Sequence, residues 1–184
     1  MIDNGWHDRV LTFWFDELTP EDWFTGKAET DEKIRERFAE LHAELSREVP
    51  AQARTDVRSA LAAIIVFDQF SRNLHRKKPG AFATDAQALG LARAAIESGM
   101  DAELPEERRR FLYMPLMHSE VLADQERAVD LFKQLGDGTS AKYAIEHRDI
   151  IARFGRFPHR NRVLGRESTP EETAFLEGHD GFGQ

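Results

Sequence analysis

Residues 59–76, SALAAIIVFDQFSRNLHR, decide the fold. Every position from Ala60 to Phe67 is apolar. At ~100° of rotation per residue such a run has no polar face, which describes a helix enclosed by other helices. The character then changes within one turn. Asp68, Gln69, Ser71, Arg72 and Asn73 follow, and only Phe70 and Leu74 continue the apolar theme. On a helical projection Asp68 lies on the line through Val57, Leu61, Ile64 and Ile65, with Arg72 one turn further along. A carboxylate and a guanidinium thus emerge from the middle of the core. The plain reading is an i,i+4 ion pair. Desolvating such a pair costs several kcal/mol per ion, however, so this is also the first place to search for a site.

Working outward, helical spacing recurs on both sides. Trp6 to Leu18 places Val10, Phe13 and Trp14 on one face, with Asn4 as a cap upstream. Thr19-Pro20-Glu21-Asp22 has the signature of a helix start and leads into Trp23 and Phe24. Asp31 to Val49 sets Ile34, Phe38, Leu41 and Leu45 in one stripe, and Pro50 ends it. After the turn Lys77-Lys78-Pro79-Gly80, Thr84 with Gln87 reads as a capping box for a helix from Asp85 to Ser98. Leu104-Pro105-Glu106-Glu107 opens another helix, in which Pro115 predicts a kink or break. Asp124 to Leu135 is helical, Thr139 caps a helix to about Phe157, and Thr169-Pro170-Glu171-Glu172 starts a last short one. The expectation is an all-α fold of about eight helices in one domain over residues 1–184, with a loose tail from about Gly178.

Composition narrows the function classes. A chain of 184 residues buries roughly 70% of its unfolded surface without covalent staples. It has no cysteine, which excludes disulfides, thiolate metal sites and cysteine nucleophiles. The net charge of -8 argues against nucleic acid or an anionic membrane as partner. The N-terminal residues carry acids and lack an uninterrupted apolar segment, and no run is long enough to span a bilayer, so the expected location is cytoplasmic.

Two histidines share the behaviour of Asp68. His118 projects close to Phe111, and His147 sits within the stripe of Tyr143, Ile150, Ile151 and Phe154. A buried imidazole needs partners for its ring nitrogens, and Asp68 and Arg72 are the obvious candidates. The plain reading of His147 is a core histidine bonded to a carbonyl or carboxylate. The functional one is a general base or a ligand contact. Residues 153–166, RFGRFPHRNRVLGR, hold five arginines and no acid. Arginine forks suit carboxylate or phosphate, whereas the plain alternative is charge complementarity at a helix C-terminus. His118 with Glu120, and His147 with Asp149, diverge by ~200° on a helix, so neither pair closes on a metal ion. The chain has no Gly-rich phosphate loop, no G-x-S-x-G and no H-E-x-x-H, and no cofactor or metal is expected.

The runs FDQFSRN, MPLMHSEVLADQERAV and HRDIIARFGRFPHRNRVLGRESTPEE, with VLTFWF near the start, closely resemble the bacterial family catalogued as domain of unknown function 924. The likeness extends over nearly the whole chain. It implies a tetratricopeptide-like right-handed helical superhelix, and it implies no activity or cofactor. By position, the family's motif residues are Asp68, Gln69, Arg72, Asn73, His118, Ser119, Glu120, Asp124, Gln125, Glu126, His147, Arg148, Asp149, Arg153, Gly155, Arg156, Pro158, His159, Arg160 and Asn161. One departure is Ser71, where relatives tend to carry proline.

The leading expectation is a binding module for a small anionic molecule or a peptide carboxylate. Its pocket would be lined by Asp68, Arg72, Asn73, His118, His147, Arg156, His159, Arg160 and Asn161. The first alternative is a hydrolase or lyase with His147 or His159 as acid/base, oriented by Asp68. The second is a structural domain with an internal ion-pair network.

Overall fold

The computed structural model describes residues 2–179. The expected tail is therefore covered only at Gly178 and His179, and the rest of it lies outside the described residues. Among the described residues every regular element is a helix. Helix α1, Trp6–Thr12, runs into a π-helical turn over Phe13–Glu17. Its N-cap is Gly5 rather than Asn4, because Asp3 Oδ1 accepts the Gly5 amide at 2.8 Å. Helix α2, Pro20–Phe24, starts at the expected Thr19-Pro20 and carries a capping box between Thr19 and Asp22. Helix α3, Ala28–Arg47, begins a turn earlier than its apolar stripe suggests.

Helix α4, Val57–Ile64, is capped by Asp56, whose carboxylate accepts the Ser59 amide. It widens into a π-helical turn over Ile65–Phe70 and resumes as α5, Ser71–Leu74. Residues 59–71 are buried throughout. The enclosure read from the apolar run is real: α4 packs on α1, α6 (Asp85–Glu97) and α7 (Glu106–Met117). Phe70 sits at the focus of the aromatic core, with ring centroids 5.9 Å from Phe13, 5.7 Å from Trp14 and 5.0 Å from Phe38.

Thr84 and Pro115 depart from their expected local roles. Thr84 makes no capping bond for α6, since its hydroxyl donates to the Phe67 carbonyl at 2.7 Å and meets Ser71 Oγ at 2.6 Å. A π turn loosens the regular carbonyl ladder, and buried carbonyls need donors. Thr84 supplies one for Phe67, and Arg72 Nη1 supplies one for Asp68, at 2.5 Å. Ser71 also meets His42 Nε2 at 2.7 Å, which extends this contact into a buried polar network. Pro115 does not interrupt α7, which continues to Met117.

Helix α8, Leu122–Gln134, packs between α7 and α9, Gly138–Phe154. Asp137, not Thr139, caps α9 by accepting the Thr139 amide. Gly155 stops it before the expected Phe157 because the cap needs φ = 70°, which a residue without Cβ adopts freely. A turn over Pro158–Arg160 leads to α10, Asn161–Leu164, and then to α11, Pro170–Leu176, which opens with the expected capping box at Thr169 and Glu172. Among the described residues no helix is long and apolar enough to cross a membrane.

Candidate functional site

The π turn after α4 presents Asp68 and Gln69 side by side at the base of a cleft. Asp68 is 1% exposed. Its Oδ1 lies 2.7 Å from His118 Nδ1 and 3.1 Å from Arg72 Nη1, and its Oδ2 accepts Gln69 Nε2 at 2.5 Å. Burial alone would push this carboxyl up, but the charges of Arg72 and His118 and the hydrogen bonds from His118 and Gln69 hold it below the usual carboxylate range. Arg72 bridges onward to Asp85, donating at 3.0 and 3.3 Å. The expected pairing of Asp68 with Arg72 is therefore present, but Arg72 is shared between two acids.

Asp68 orients His118, not His147 or His159. His147 bonds instead to its own helix, with Nδ1 2.8 Å from the Tyr143 carbonyl, while its ring lies 6.2 Å from that of His118 and 5.5 Å from Phe157. Burial, reinforced by His118, lowers His147 to about 3. His42, buried against His75, is lowered to about 4. Both groups give up their proton more readily in the folded chain than at the ordinary value of 6.5. Their stabilising contribution is complete above pH 6.5 and is lost progressively as pH falls from there to the folded values of about 4 and about 3. Urea unfolding should accordingly show stability dropping by on the order of 3 kcal/mol between about pH 7 and 5, before most carboxylates titrate. A flat profile over that window would mean that the two rings are solvated.

Above this floor lies a solvent-connected cleft of about 840 Å³. One wall is apolar: Trp23, Phe24, Phe82, Met114, Met117, Phe132, Tyr143 and Val163. Phe24 and Tyr143 are large aromatics left 60% and 50% exposed, and both stand in this lining. The polar lining includes four cations, Arg72, Arg76, Lys77 and Arg110, and one acid, Asp137. Arg76 forks onto Asp31 at 2.8 and 2.7 Å, and Arg110 meets Asp137 at 3.0 Å. Lys77 forms no ion pair among the described residues. Its φ of 60° is rare for a residue with a side chain, and such conformations concentrate at functional positions.

Of the residues singled out from sequence, Arg72, Asn73, His118 and His147 line the cleft, with Asp68 directly beneath. Asn73 is tied to Asp31 at 2.8 Å. Arg160, 5% exposed, lies behind the wall between the rings of Phe82 and Phe157 at 4.6 and 4.5 Å, with Asp85 3.6 Å away. Burial and the nearby Arg72 lower it to about 10. Arg156, His159 and Asn161 stand apart from the lining. Arg156 forks onto Glu172 at 2.7 and 2.8 Å, Asn161 bonds Ser168 and Glu172, and His159 packs on Phe157. The Arg-rich run also has acids of its own, since Arg153 meets Glu171 and Arg166 forks onto Glu120. Sequence reasoning missed Gln69 as a wall residue, Lys77, Arg110 and the aromatic pair Trp23-Phe24. The positive φ of Lys77 has no sequence signal beyond its place in a Lys-Lys-Pro-Gly turn. Among the described residues no three His, Asp or Glu converge as metal ligands.

Comparison with known proteins agrees with the helical architecture. The family model described as bacterial protein of unknown function (DUF924) matches residues 10–180. A solved structure of a protein of unknown function from Agrobacterium tumefaciens is 39% identical, with a TM-score of 0.89. The match covers 94% of this chain and 97% of that one. No curated protein matches the chain.

Proposed function

Because the chain belongs to the DUF924 family of bacterial proteins of unknown function, its role has to be read from its own cleft, and we propose that it binds a small amphipathic anion there. The observation that carries this reading is the lining itself: Lys77 and three arginines fixed by acids, beside the exposed rings of Phe24 and Tyr143. Pockets that hold small molecules combine a mostly apolar surface with a few placed polar groups. The arginines are held in position by Asp31, Asp85 and Asp137, so an incoming carboxylate meets donors already ordered. Lys77 adds positive charge at the rim without an internal partner among the described residues. A peptide carboxylate meets the same chemistry, provided its last side chain is apolar.

The experiment is a thermal-shift series with acetate, hexanoate, benzoate, glutarate and inorganic phosphate. A ligand at 100 times its dissociation constant adds about 2.7 kcal/mol, which for a chain of this size raises Tm by several degrees. Benzoate and hexanoate should shift Tm at lower concentration than acetate, and the double substitution Lys77→Ala with Arg110→Ala should abolish the difference. Equal absence of a shift for every anion would remove the binding reading.

A further inference from the structure

The strongest chemistry that anion binding leaves unused is the contact between Asp68 and His118. His118 closes the end of α7, its amide bonded to the Met114 carbonyl at 3.0 Å. An ionised carboxylate only accepts hydrogen bonds, so His118 Nδ1 is the donor across the 2.7 Å contact. Gln69 and Arg72 hold that carboxylate from the remaining sides. Nε2 of His118 makes no hydrogen bond among the described residues, is not sealed from solvent, and belongs to a ring that lines the cleft. An imidazole whose Nδ1–H is fixed by a carboxylate offers a lone pair at Nε2, the tautomer a general base requires.

We propose that His118 Nε2 is the general base of a hydrolytic site in this cleft, acting through water on a carboxylic ester of an amphipathic anion, with Asp68 as its positioning residue. Water is the nucleophile because the serines around the cleft are engaged and the chain has no cysteine. Ser71 is bonded to His42 and Thr84, Ser119 donates to Asp124, and Ser140 donates to Asp137. His147 cannot share the role, since its Nδ1 is bonded to the Tyr143 carbonyl and its ring stays neutral through burial. In the step, water gives a proton to Nε2 while its oxygen bonds to the ester carbon and the carbonyl electrons move onto oxygen. Arg72, which lines the cleft beside Asp68, supplies positive charge to the developing oxyanion. The intermediate collapses, the carbon–oxygen bond to the alcohol breaks, and the imidazolium returns its proton to the leaving alkoxide. Ester and water become acid and alcohol with no further reactant.

This inference rests on the anion-binding reading for holding the substrate, yet the two fail separately. The probe is mono-4-nitrophenyl glutarate, hydrolysed by the full chain at neutral pH, with the thermal shift by glutarate measured on every variant. The expected result is turnover above buffer that His118→Ala lowers by about 100-fold or more. Free imidazole should then restore part of the rate to His118→Ala, which a purely structural histidine would not allow. Asp68→Asn should lower kcat while KM stays near the native value. If His118→Ala does not fold, His118→Gln takes its place, and a loss confined to kcat supports the same assignment. A native rate equal to buffer, a folded His118 variant with native rate, or failure of imidazole to rescue folded His118→Ala overturns the general base. If glutarate still raises Tm in those cases, binding survives alone. If neither glutarate nor benzoate nor hexanoate does, both readings fall.

Discussion

Phe70→Ala should destabilise the protein by about 3–5 kcal/mol, the range for emptying a fully buried aromatic site. Phe70 is completely buried and touches three aromatic rings contributed by α3 and by the π turn that follows α1. Those neighbours sit on different elements, so none can move into the void without dragging a helix, and relaxation recovers little of the lost contact. The same side chain lies two residues from Asp68, which makes the aromatic core the support of the cleft floor. Chemical denaturation measures the change directly. A loss below about 1 kcal/mol would mean that the core collapses around the void and does not hold the π turn rigidly.

Asp68→Ala is expected to cost about 3 kcal/mol or more, for a different reason. The carboxylate compensates Arg72 and accepts from His118 and Gln69. Its removal leaves a guanidinium and two buried donors with fewer acceptors, and an unsatisfied buried group costs about 1–3 kcal/mol. Asp85 keeps Arg72 partly compensated, which holds the loss to the lower part of the range. Asp68→Asn retains an acceptor of the same shape and should lose less. Equal stability of Asp68→Ala and the native protein would place the carboxylate in bulk water.

The direction of Asp68, His118 and His147 was legible because helical period alone dictates which way a side chain points. Which of them meet was not, since Asp68 and His118 are 50 residues apart and their contact depends on how α4 and α7 cross. The π turn adds to the difficulty, because one widened turn rotates everything after it relative to a regular projection. The Arg-rich segment misled for a related reason. Read alone it lacks acids, whereas Glu172 lies 16 residues beyond Arg156, and Glu120 lies 46 residues before Arg166. Lys77 and Arg110 escaped notice because a cation in a turn or on a helix surface looks like ordinary solvated charge. Thr84 fails as a cap because its hydroxyl has a better acceptor in the Phe67 carbonyl, whereas at Asn4 and Thr139 the cap falls to a nearby residue, Gly5 and Asp137.

The central claim, that side chains from several helices converge to receive an anion in one cleft, is tested most directly by a crystal structure grown with benzoate. The account predicts a carboxylate within hydrogen-bond reach of at least one of Arg72, Lys77 and Arg110, with the ring against Trp23, Phe24 or Tyr143. Benzoate seated elsewhere on the surface, with only water in the cleft, would contradict it.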